Sequence, residues 1–226
     1  YKLLVQGKAH KRCPPDVDAH PVIIGHEFAG DIVKVGKKWL GEFSPGEKFA
    51  QQPALNYKGS LASPGYSYPY FGGACTYCVV PPEVMELGCL LHYSGESYFE
   101  ASLGEPMSCV VGGYRGNYHT SRHSHEHVMG VREGGSVLIL GGCGPMGLEA
   151  IEYPMTLEKK PAMIVVTDLS EERIARARRL IPESLAAARG IRLVYINSGE
   201  CSDEFAELMA LTGGRGYDDI FVYNAI

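Results

Sequence analysis

A histidine and a glutamate stand side by side in a stretch that is otherwise mostly apolar or small, PVIIGHEFAGDIVKVG at residues 21–36. His26 offers an imidazole nitrogen and Glu27 a carboxylate, and both groups bind divalent metals. A buried sheet edge has little use for such a pair unless something binds it. The stretch alone leaves two interpretations: a pair that happens to follow a strand, or a pair that lines a site.

A second chemical signal is the glycine pattern G-x-G-x-x-G in VLILGGCGPMG. Gly142 permits a tight turn, Gly144 lets the backbone approach a pyrophosphate, and Gly147 lets a helix pack closely on a strand. Pro145 and Met146 open the helix, whose N-terminal N–H groups would face the pyrophosphate. The same pattern occurs in ordinary turns, so the flanking elements decide.

Asp168 supplies the remaining feature of a dinucleotide site. It closes the next apolar run, residues 163–167, and lies about 20 residues after Gly147. A carboxylate there accepts hydrogen bonds from the adenosine ribose hydroxyls and repels the 2′-phosphate of NADP. We therefore expect NAD, while the nearby Arg173 and Arg176 keep NADP as an alternative.

The chain divides into two parts that differ in composition and in predicted secondary structure. Up to about residue 107, the sequence is rich in Pro, Gly and Tyr, and short β-branched runs such as DIVKVG and CVVPPEV predict antiparallel strands joined by turns. Residues 54–73 have no helical period, which indicates a long surface loop. From about residue 108, strands and helices alternate, which predicts a parallel, doubly wound sheet.

The second half gives specific boundaries. The first crossover helix should end near Tyr153, because Pro154 does not fit inside a helix. Ser170 should cap the next helix, and Ser202 a third that runs to about Leu211. Four strands would leave a six-stranded sheet unfinished. The predicted strands are residues 136–140, 163–167, 192–196 and 219–222.

Composition excludes several classes of protein. At 226 residues with 45% hydrophobic residues, the chain can form a sizeable core in one or two domains. A net charge of −5 provides no basic footprint for nucleic acid. We expect no membrane span either, because no apolar run approaches about 20 residues. The seven scattered cysteines argue against a secreted disulfide framework and for the reducing cytoplasm.

Taken together, the sequence resembles the medium-chain dehydrogenases, the family of zinc-dependent alcohol and polyol dehydrogenases, over nearly its whole length. The blocks that carry the resemblance follow the family's order: PVIIGHEFAGDIVKVG, SPGEKF, GGACTYCVVPPEV, GEPMSCVVGGY, VLILGGCGPMG and VVTDLSEER. The last block and the Glu-Pro pair of GEPMS are most similar to the sorbitol, threonine and sugar-alcohol branch. The implied α/β fold is a GroES-like β-rich catalytic domain over residues 1–107 and an incomplete Rossmann domain over residues 108–226, with the chain truncated at both ends.

The resemblance also implies a set of site residues. In the family, the His of the GHE block binds the catalytic zinc, its neighbouring Glu binds directly or indirectly, and the Glu of the later E-P block binds the metal or holds its water. Carried over, these metal-binding and catalytic residues are His26, Glu27 and Glu105, with one Zn²⁺ per chain. The residues implied for the cofactor are Gly142, Gly144, Pro145, Met146, Gly147, Asp168 and Arg173.

Two departures from the family pattern concern cysteines. The family's first zinc ligand is a cysteine in a block that we expect to precede Tyr1, since KRCPPD around Cys13 does not resemble it. Cys75 and Cys78 form a C-x-x-C without the second pair of a four-ligand site. On a strand, residues three apart point to opposite faces. We therefore predict two ordinary buried thiols and no structural zinc.

Two further motifs contain clustered histidines or tyrosines. The histidines of HTSRHSHEH, residues 119–127, lie in a polar stretch that we interpret as a solvated connector rather than a metal site. The tyrosines of YSYPY either line a substrate entrance or cover a loop.

The predicted activity is that of a zinc-dependent oxidoreductase which transfers a hydride between NAD and an alcohol: a polyol, sugar alcohol or sugar phosphate. The metal would act as a Lewis acid on the alcohol or carbonyl oxygen, and the enzyme would form a dimer or tetramer. Two alternatives share the fold. One is a zinc-free NADPH quinone or enone reductase, and the other is a non-catalytic dinucleotide-binding protein.

Overall fold

The structure is a computed structural model that describes residues 2–121 and 123–224. The chain divides into two compact units, with the division between Ser108 and Cys109. Each unit has its own sheet, antiparallel in the first and parallel in the second. The α/β fold class predicted from the sequence is therefore confirmed.

The first unit is irregular, with short elements joined by long connections. Its three strands form an antiparallel sheet in the order β1-β2-β3, in which Gly30 lies opposite Phe49 and Ala50 opposite Leu91. The elements from the start of the chain are α1 (Lys2–Gln6), β1 (Ala29–Asp31), β2 (Lys48–Gln51), α2 (Pro82–Glu86), β3 (Leu90–Tyr93), α3 (Tyr98–Ser102) and α4 (Gly104–Gly116). Only the first residues of α4, up to Ser108, belong to this unit, and the helix continues into the second.

Strand predictions in this unit were only partly correct. Within DIVKVG only Asp31 belongs to a strand, the last residue of β1. The run CVVPPEV, predicted as a strand, instead leads into α2, where Pro82 occupies the first helical turn. Proline suits that position because its missing N–H has no helical partner there in any case.

The segment 54–73, predicted as a surface loop, contributes to the core. Phe71 is fully buried and packs with Phe43, Phe49 and Val84. The segment is irregular, as predicted, and contains only one 3-10 turn, Tyr57–Gly59. The prediction was wrong about its burial, because aperiodic spacing excludes a helix but does not reveal which side chains are buried.

The second unit has regular alternation. Its parallel sheet has the order β8-β7-β6-β9, and a two-stranded antiparallel ladder, β4-β5, precedes it. The elements are β4 (Tyr118–His119), β5 (Val128–Met129), β6 (Ser136–Leu140), α5 (Pro145–Glu152), β7 (Met163–Asp168), α6 (Glu171–Leu180), α7 (Glu183–Ala188), β8 (Arg192–Asn197), α8 (Glu204–Leu211) and β9 (Asp219–Val222).

Strand order explains where a ligand belongs in this unit. The chain runs outward from β6 through β7 to β8 and then returns to place β9 on the other side of β6. Parallel sheets of this kind bind ligands at the carboxyl ends of the strands where the order reverses. The core strands are apolar on both faces, as in other covered parallel sheets, and their fully buried residues are Val137, Ile139, Ile164, Val165 and Val166.

Helix boundaries mostly follow the sequence signals. Ser170 caps α6, since its hydroxyl accepts the N–H of Arg173. The prediction for α8 was wrong by one residue, because the cap is Asp203 rather than Ser202. The carboxylate of Asp203 accepts a hydrogen bond from the N-terminal N–H groups of the helix, as a serine hydroxyl would. Its negative charge also interacts favourably with the positive end of the helix dipole. The first crossover helix ends at Glu152, and a 3-10 turn follows.

None of the helices in the described part of the chain combines the length and apolar character needed to cross a membrane.

Candidate functional site

The first unit brings His26, Glu27 and Glu105 together. The Nε2 atom of His26 lies 3.5 Å from Oε1 of Glu27 and 4.0 Å from Oε1 of Glu105. One ligand atom from each side chain can be chosen so that all three lie within 4.8 Å of one another. The side chain of Glu105 is 12% exposed and that of Glu27 is 52% exposed, so the cluster has a buried and an open side.

Different local structures deliver these side chains. His26 and Glu27 follow Gly25, whose φ of +92° suits glycine because a side chain there would be strained. The carbonyl of Gly25 accepts the N–H of Gly73, which ties this turn to the later segment. Glu105 lies in the first turn of α4, where a carboxylate is favourable.

Tyr66 completes the surroundings of the imidazole. Its hydroxyl oxygen lies 3.4 Å from Nε2 of His26, and the two ring centroids are 4.8 Å apart. On its other face, Tyr66 stacks on His10 at 4.8 Å with an angle of 11° between the rings. The sequence left Tyr66 undecided and did not single out His10; the YSYPY motif was the only signal available.

Gly65 makes this contact possible. A Cβ atom at that position would lie 2.3 Å from the carbonyl oxygen of Gly25 and 2.6 Å from the backbone nitrogen of His26. Since both are backbone atoms, no side-chain rotation could relieve the overlap. The segment that carries Tyr66 can therefore pass His26 only because residue 65 has no side chain.

Burial lowers the pKa of His26, and the positive charges of Lys2 and Arg12 lower it further, while Glu27 acts in the opposite direction. The imidazole is therefore neutral near neutral pH, which is the form that binds metals. Burial and the charge of Glu105 raise the pKa of Tyr66, so its hydroxyl keeps its proton.

The donor set fits a zinc ion. Ligand atoms at about 2.0–2.2 Å from a tetrahedral Zn²⁺ lie about 3.3–3.6 Å from one another. The separation of 3.5 Å between His26 and Glu27 lies in that range, whereas the longer separations, 4.0 Å to Glu105 and up to 4.8 Å within the set, require the side chains to move closer on metal binding. Imidazole nitrogen and carboxylate oxygen are both ligand types that zinc binds in proteins.

The glycine turn in the second unit lies between β6 and α5. Gly142 donates its N–H to the carbonyl of Thr167 at 2.9 Å, which ties the turn to the neighbouring strand. A Cβ at Gly147 would lie 2.2 Å from the carbonyl oxygen of Gly142, whereas one at Gly144 would meet nothing within 4 Å. Gly147 therefore serves helix–strand packing, and Gly144 leaves open space at the helix N-terminus, which begins at Pro145 and Met146.

Asp168 ends β7 beside this turn and is 6% exposed. Its carboxylate accepts the backbone N–H groups of Cys143 and Ser170, each at 3.1 Å. Arg176 donates to the carbonyl of Cys143 at 3.0 Å. Arg173 lies in the first turn of α6, where its backbone N–H donates to Ser170. The cofactor roles of these residues stay predictions.

The prediction that Cys75 and Cys78 lie on opposite faces of a strand was wrong. Residues 75–78 do not form a strand, and the two thiols interact. Burial raises the pKa of Cys78 to about 11, and the electrostatic effect of the nearby Cys75 raises it further. The expected absence of a structural zinc stays a prediction.

The histidine-rich stretch is not only a solvated connector. His119 belongs to β4, and its Nε2 lies 3.0 Å from Oδ1 of the buried Asp219. His127 stacks on Tyr118 at 4.2 Å, whereas His123 and His125 are exposed. Arg122 of this motif lies outside the described residues.

Comparisons with known proteins identify relatives of this chain. Residues 2–88 match the family described as the alcohol dehydrogenase GroES-like domain. The chain is 46% identical over 226 residues to a mannitol-1-phosphate 5-dehydrogenase of Aliivibrio fischeri, covering 100% of this chain and 53% of that protein. It is 45% identical over 218 residues to an L-sorbose 1-phosphate reductase of Klebsiella pneumoniae, covering 96% and 52%.

A solved structure with the same fold is the glucose dehydrogenase of Haloferax mediterranei. The TM-score is 0.63 at 16% identity, and the match covers 98% of this chain and 59% of the other. The chain spans about half the length of the curated relatives it matches.

Proposed function

We propose, on the premise that the chain belongs to the alcohol dehydrogenase GroES-like family of medium-chain dehydrogenases, that it is part of a zinc-dependent polyol-phosphate dehydrogenase. The reaction is hydride transfer between NAD and a secondary alcohol of a phosphorylated polyol or sugar. The observation that carries the proposal is the cluster of His26, Glu27 and Glu105.

The substrate class is supported by the two relatives that are 46% and 45% identical, both named for sugar or polyol 1-phosphates. Unphosphorylated polyols and sugar alcohols are the second candidate, by resemblance to the sorbitol branch. The two classes differ by one phosphate group, which makes them easy to separate by kinetics.

The chain's own residues have distinct roles in this proposal. A zinc ion at the cluster would supply a Lewis acid that stabilises negative charge on the reacting oxygen. His26, with Glu105 from the buried side and Glu27 from the open side, would hold it. Tyr66 keeps the imidazole in place by packing against its ring.

The cofactor site follows from the second unit. The open space at Gly144 and the free N–H groups at the start of α5 suit a pyrophosphate. A carboxylate has about four lone-pair positions, so Asp168 can accept ribose hydroxyls in addition to its two backbone donors. Its negative charge also disfavours a 2′-phosphate, which supports NAD over NADP.

Zinc analysis combined with an activity assay tests the proposal on the natural, full-length protein. We expect about one zinc per chain, and NADH formation with mannitol 1-phosphate. His26→Ala should lose metal and activity together. His20→Ala is the matched control, because His20 is exposed and pairs only with Asp16 among the described residues.

Three outcomes would contradict the proposal in different ways. A His26→Ala variant that keeps full zinc and turnover would remove the cluster from the reaction. A zinc-free protein that reduces quinones or enones with NADPH would favour the reductase alternative. Dinucleotide binding without zinc and without turnover would favour a non-catalytic protein.

A further inference from the structure

The first unit begins with a positively charged segment, and two of its charges, Lys2 and Arg12, act on His26. Residues 2–12 contain Lys2, Lys8, Lys11 and Arg12 and no acidic residue. Lys8 forms an ion pair with Asp18. For the other three cations, no ion pair with a carboxylate is found among residues 2–121 and 123–224. We call Lys2, Lys11 and Arg12 the basic cluster.

Arg12 is held in a defined position. Its Nη1 donates to the carbonyl of Leu61 at 2.9 Å, and its own carbonyl accepts the hydroxyl of Ser67 at 2.7 Å. Its backbone N–H donates to Nδ1 of His10 at 3.2 Å. Since a guanidinium has several further N–H donors in a planar fork, most of them remain for an acceptor that these contacts do not supply.

Two stacked or packed aromatic rings, His10 and Tyr66, connect the basic cluster to the candidate zinc ligand His26. His10, which neighbours Lys11 and Arg12, stacks on Tyr66, and Tyr66 packs against His26, with 4.8 Å between centroids at each step. The positive charges of Lys2 and Arg12 act on the imidazole of His26 itself. The same segment, residues 61–67, therefore fixes Arg12 and brings Tyr66 to His26.

We propose that the basic cluster, with Arg12 as its principal donor, binds the phosphate group of a phosphomonoester substrate whose reacting hydroxyl lies at His26, Glu27 and Glu105. The inference rests on the proposed function and adds the residues that select phosphorylated over unphosphorylated polyols. A phosphomonoester carries about −1.5 to −2 charge at neutral pH. Arginine binds such groups through two parallel hydrogen bonds.

A phosphomonoester could also come from the cofactor, as the 2′-phosphate of NADP. That group is expected beside Asp168 and Arg173, which belong to the second unit, whereas the basic cluster belongs entirely to the first. The proposal commits to the substrate, and the experiment separates the two sources.

The test compares Arg12→Gln, Arg12→Lys and the control Lys8→Gln in the full-length, zinc-loaded protein. The assay measures kcat/KM with mannitol 1-phosphate and with mannitol, using NAD and then NADP. For Arg12→Gln, we expect the preference for the phosphorylated substrate to fall about 10- to 100-fold, the loss expected for a charge-assisted hydrogen-bond pair. Arg12→Lys should retain part of the preference for the phosphorylated substrate, because it keeps the positive charge. Lys8→Gln should retain the full wild-type preference.

Inorganic phosphate provides a readout that does not depend on turnover. Calorimetry on the wild-type protein should show phosphate binding, and Arg12→Gln should weaken it about tenfold or more, with thermal melting confirming that the variant is folded. A wild-type protein that oxidises polyols without preferring the phosphorylated form would overturn the inference and the phosphorylated substrate class, and would leave the zinc-dependent dehydrogenase with its second candidate, unphosphorylated polyols. An Arg12→Gln variant that alters the NADP preference instead would also overturn the inference. Conversely, phosphate binding that depends on Arg12 in a protein without dehydrogenase activity would contradict the proposed function alone.

Discussion

The glycine turn of the second unit and the candidate metal site of the first, which consists of His26, Glu27 and Glu105, are built in opposite ways. The turn consists of consecutive residues between one strand and one helix, and its shape follows from three glycines. The cluster joins residues from two separate segments, supported by Tyr66, which lies 40 positions from His26. The first kind of site depends on local geometry, and the second depends on contacts between irregular segments.

We expect the largest loss of stability at Gly147 of the glycine turn, where the backbone leaves no space for a side chain. In Gly147→Ala, the new Cβ would lie 2.2 Å from the carbonyl oxygen of Gly142. Because β6 and α5 hold both residues, relief requires displacing the helix, and we expect a loss of about 3 kcal/mol or more in unfolding free energy. Urea denaturation would measure it.

Gly144→Ala is the matched control within the same turn. A Cβ there meets nothing within 4 Å, and its φ of −80° suits alanine. Stability should change by less than about 1 kcal/mol, while NAD binding should weaken because the methyl group enters the space expected for the pyrophosphate. Equal destabilisation by both substitutions would show that local packing does not distinguish the two glycines.

A smaller effect on stability but a larger effect on the metal is expected for Gly65→Ala. The new Cβ would lie 2.3 Å from the carbonyl oxygen of Gly25, at a φ of +72°. The irregular segment can move away, so we expect a loss of about 2 kcal/mol. Movement of Tyr66 and His26 should lower zinc affinity at least tenfold, measured by competition with a chelator.

Gly59→Ala separates backbone strain from displacement of the site. Gly59 has a similar positive φ of +80°, but its Cβ would meet nothing within 4 Å. It should therefore lose about 1 kcal/mol of stability and keep the zinc affinity of the parent. Loss of zinc in this variant would mean that strain anywhere in the segment disturbs the cluster.

The same contrast decides how much the sequence could predict. In the second unit, strands, glycines and the Ser170 cap carry short-range signals, so the boundaries were within a residue or two of the structure. In the first unit, the burial of Phe71 and the contact of Cys75 with Cys78 depend on long-range packing that no local pattern encodes. The approach of Tyr66 to His26 is of the same kind. The metal ligands themselves came from a family resemblance rather than from spacing.

Substitution of Asp168 tests a polar contact beside the glycine turn. Asp168→Ala removes the acceptor for two backbone N–H groups and the negative charge that we expect to face the ribose. We expect a loss of about 1–3 kcal/mol of stability, about tenfold weaker NAD binding and a smaller preference for NAD over NADP. The KM values for NAD and NADP would show this change in preference. Asp168→Asn should have a preference between those of the parent protein and Asp168→Ala, because it keeps one acceptor oxygen. An unchanged cofactor preference would remove Asp168 from the cofactor site.

The smallest effect is expected at Asp218, a partly exposed contact at the start of the parallel sheet. Burial acts to raise the pKa of its carboxyl group, but hydrogen bonds from the N–H and hydroxyl of Ser136 and from Arg132 outweigh it, so the pKa lies below the ordinary value of 3.8. A folded-state pKa below the unfolded one stabilises the protein above about pH 4, and this contribution is lost as the pH falls through the folded value. Asp218→Asn should cost about 0.5–1 kcal/mol at pH 7 and make the unfolding free energy fall less steeply between pH 5 and pH 3, as followed by urea denaturation across that range. If the unfolding free energies of the parent and the variant depended on pH in the same way, Asp218 would bind protons equally in the folded and unfolded states. The polar contact at the start of this regular sheet would then make no pH-dependent contribution to stability.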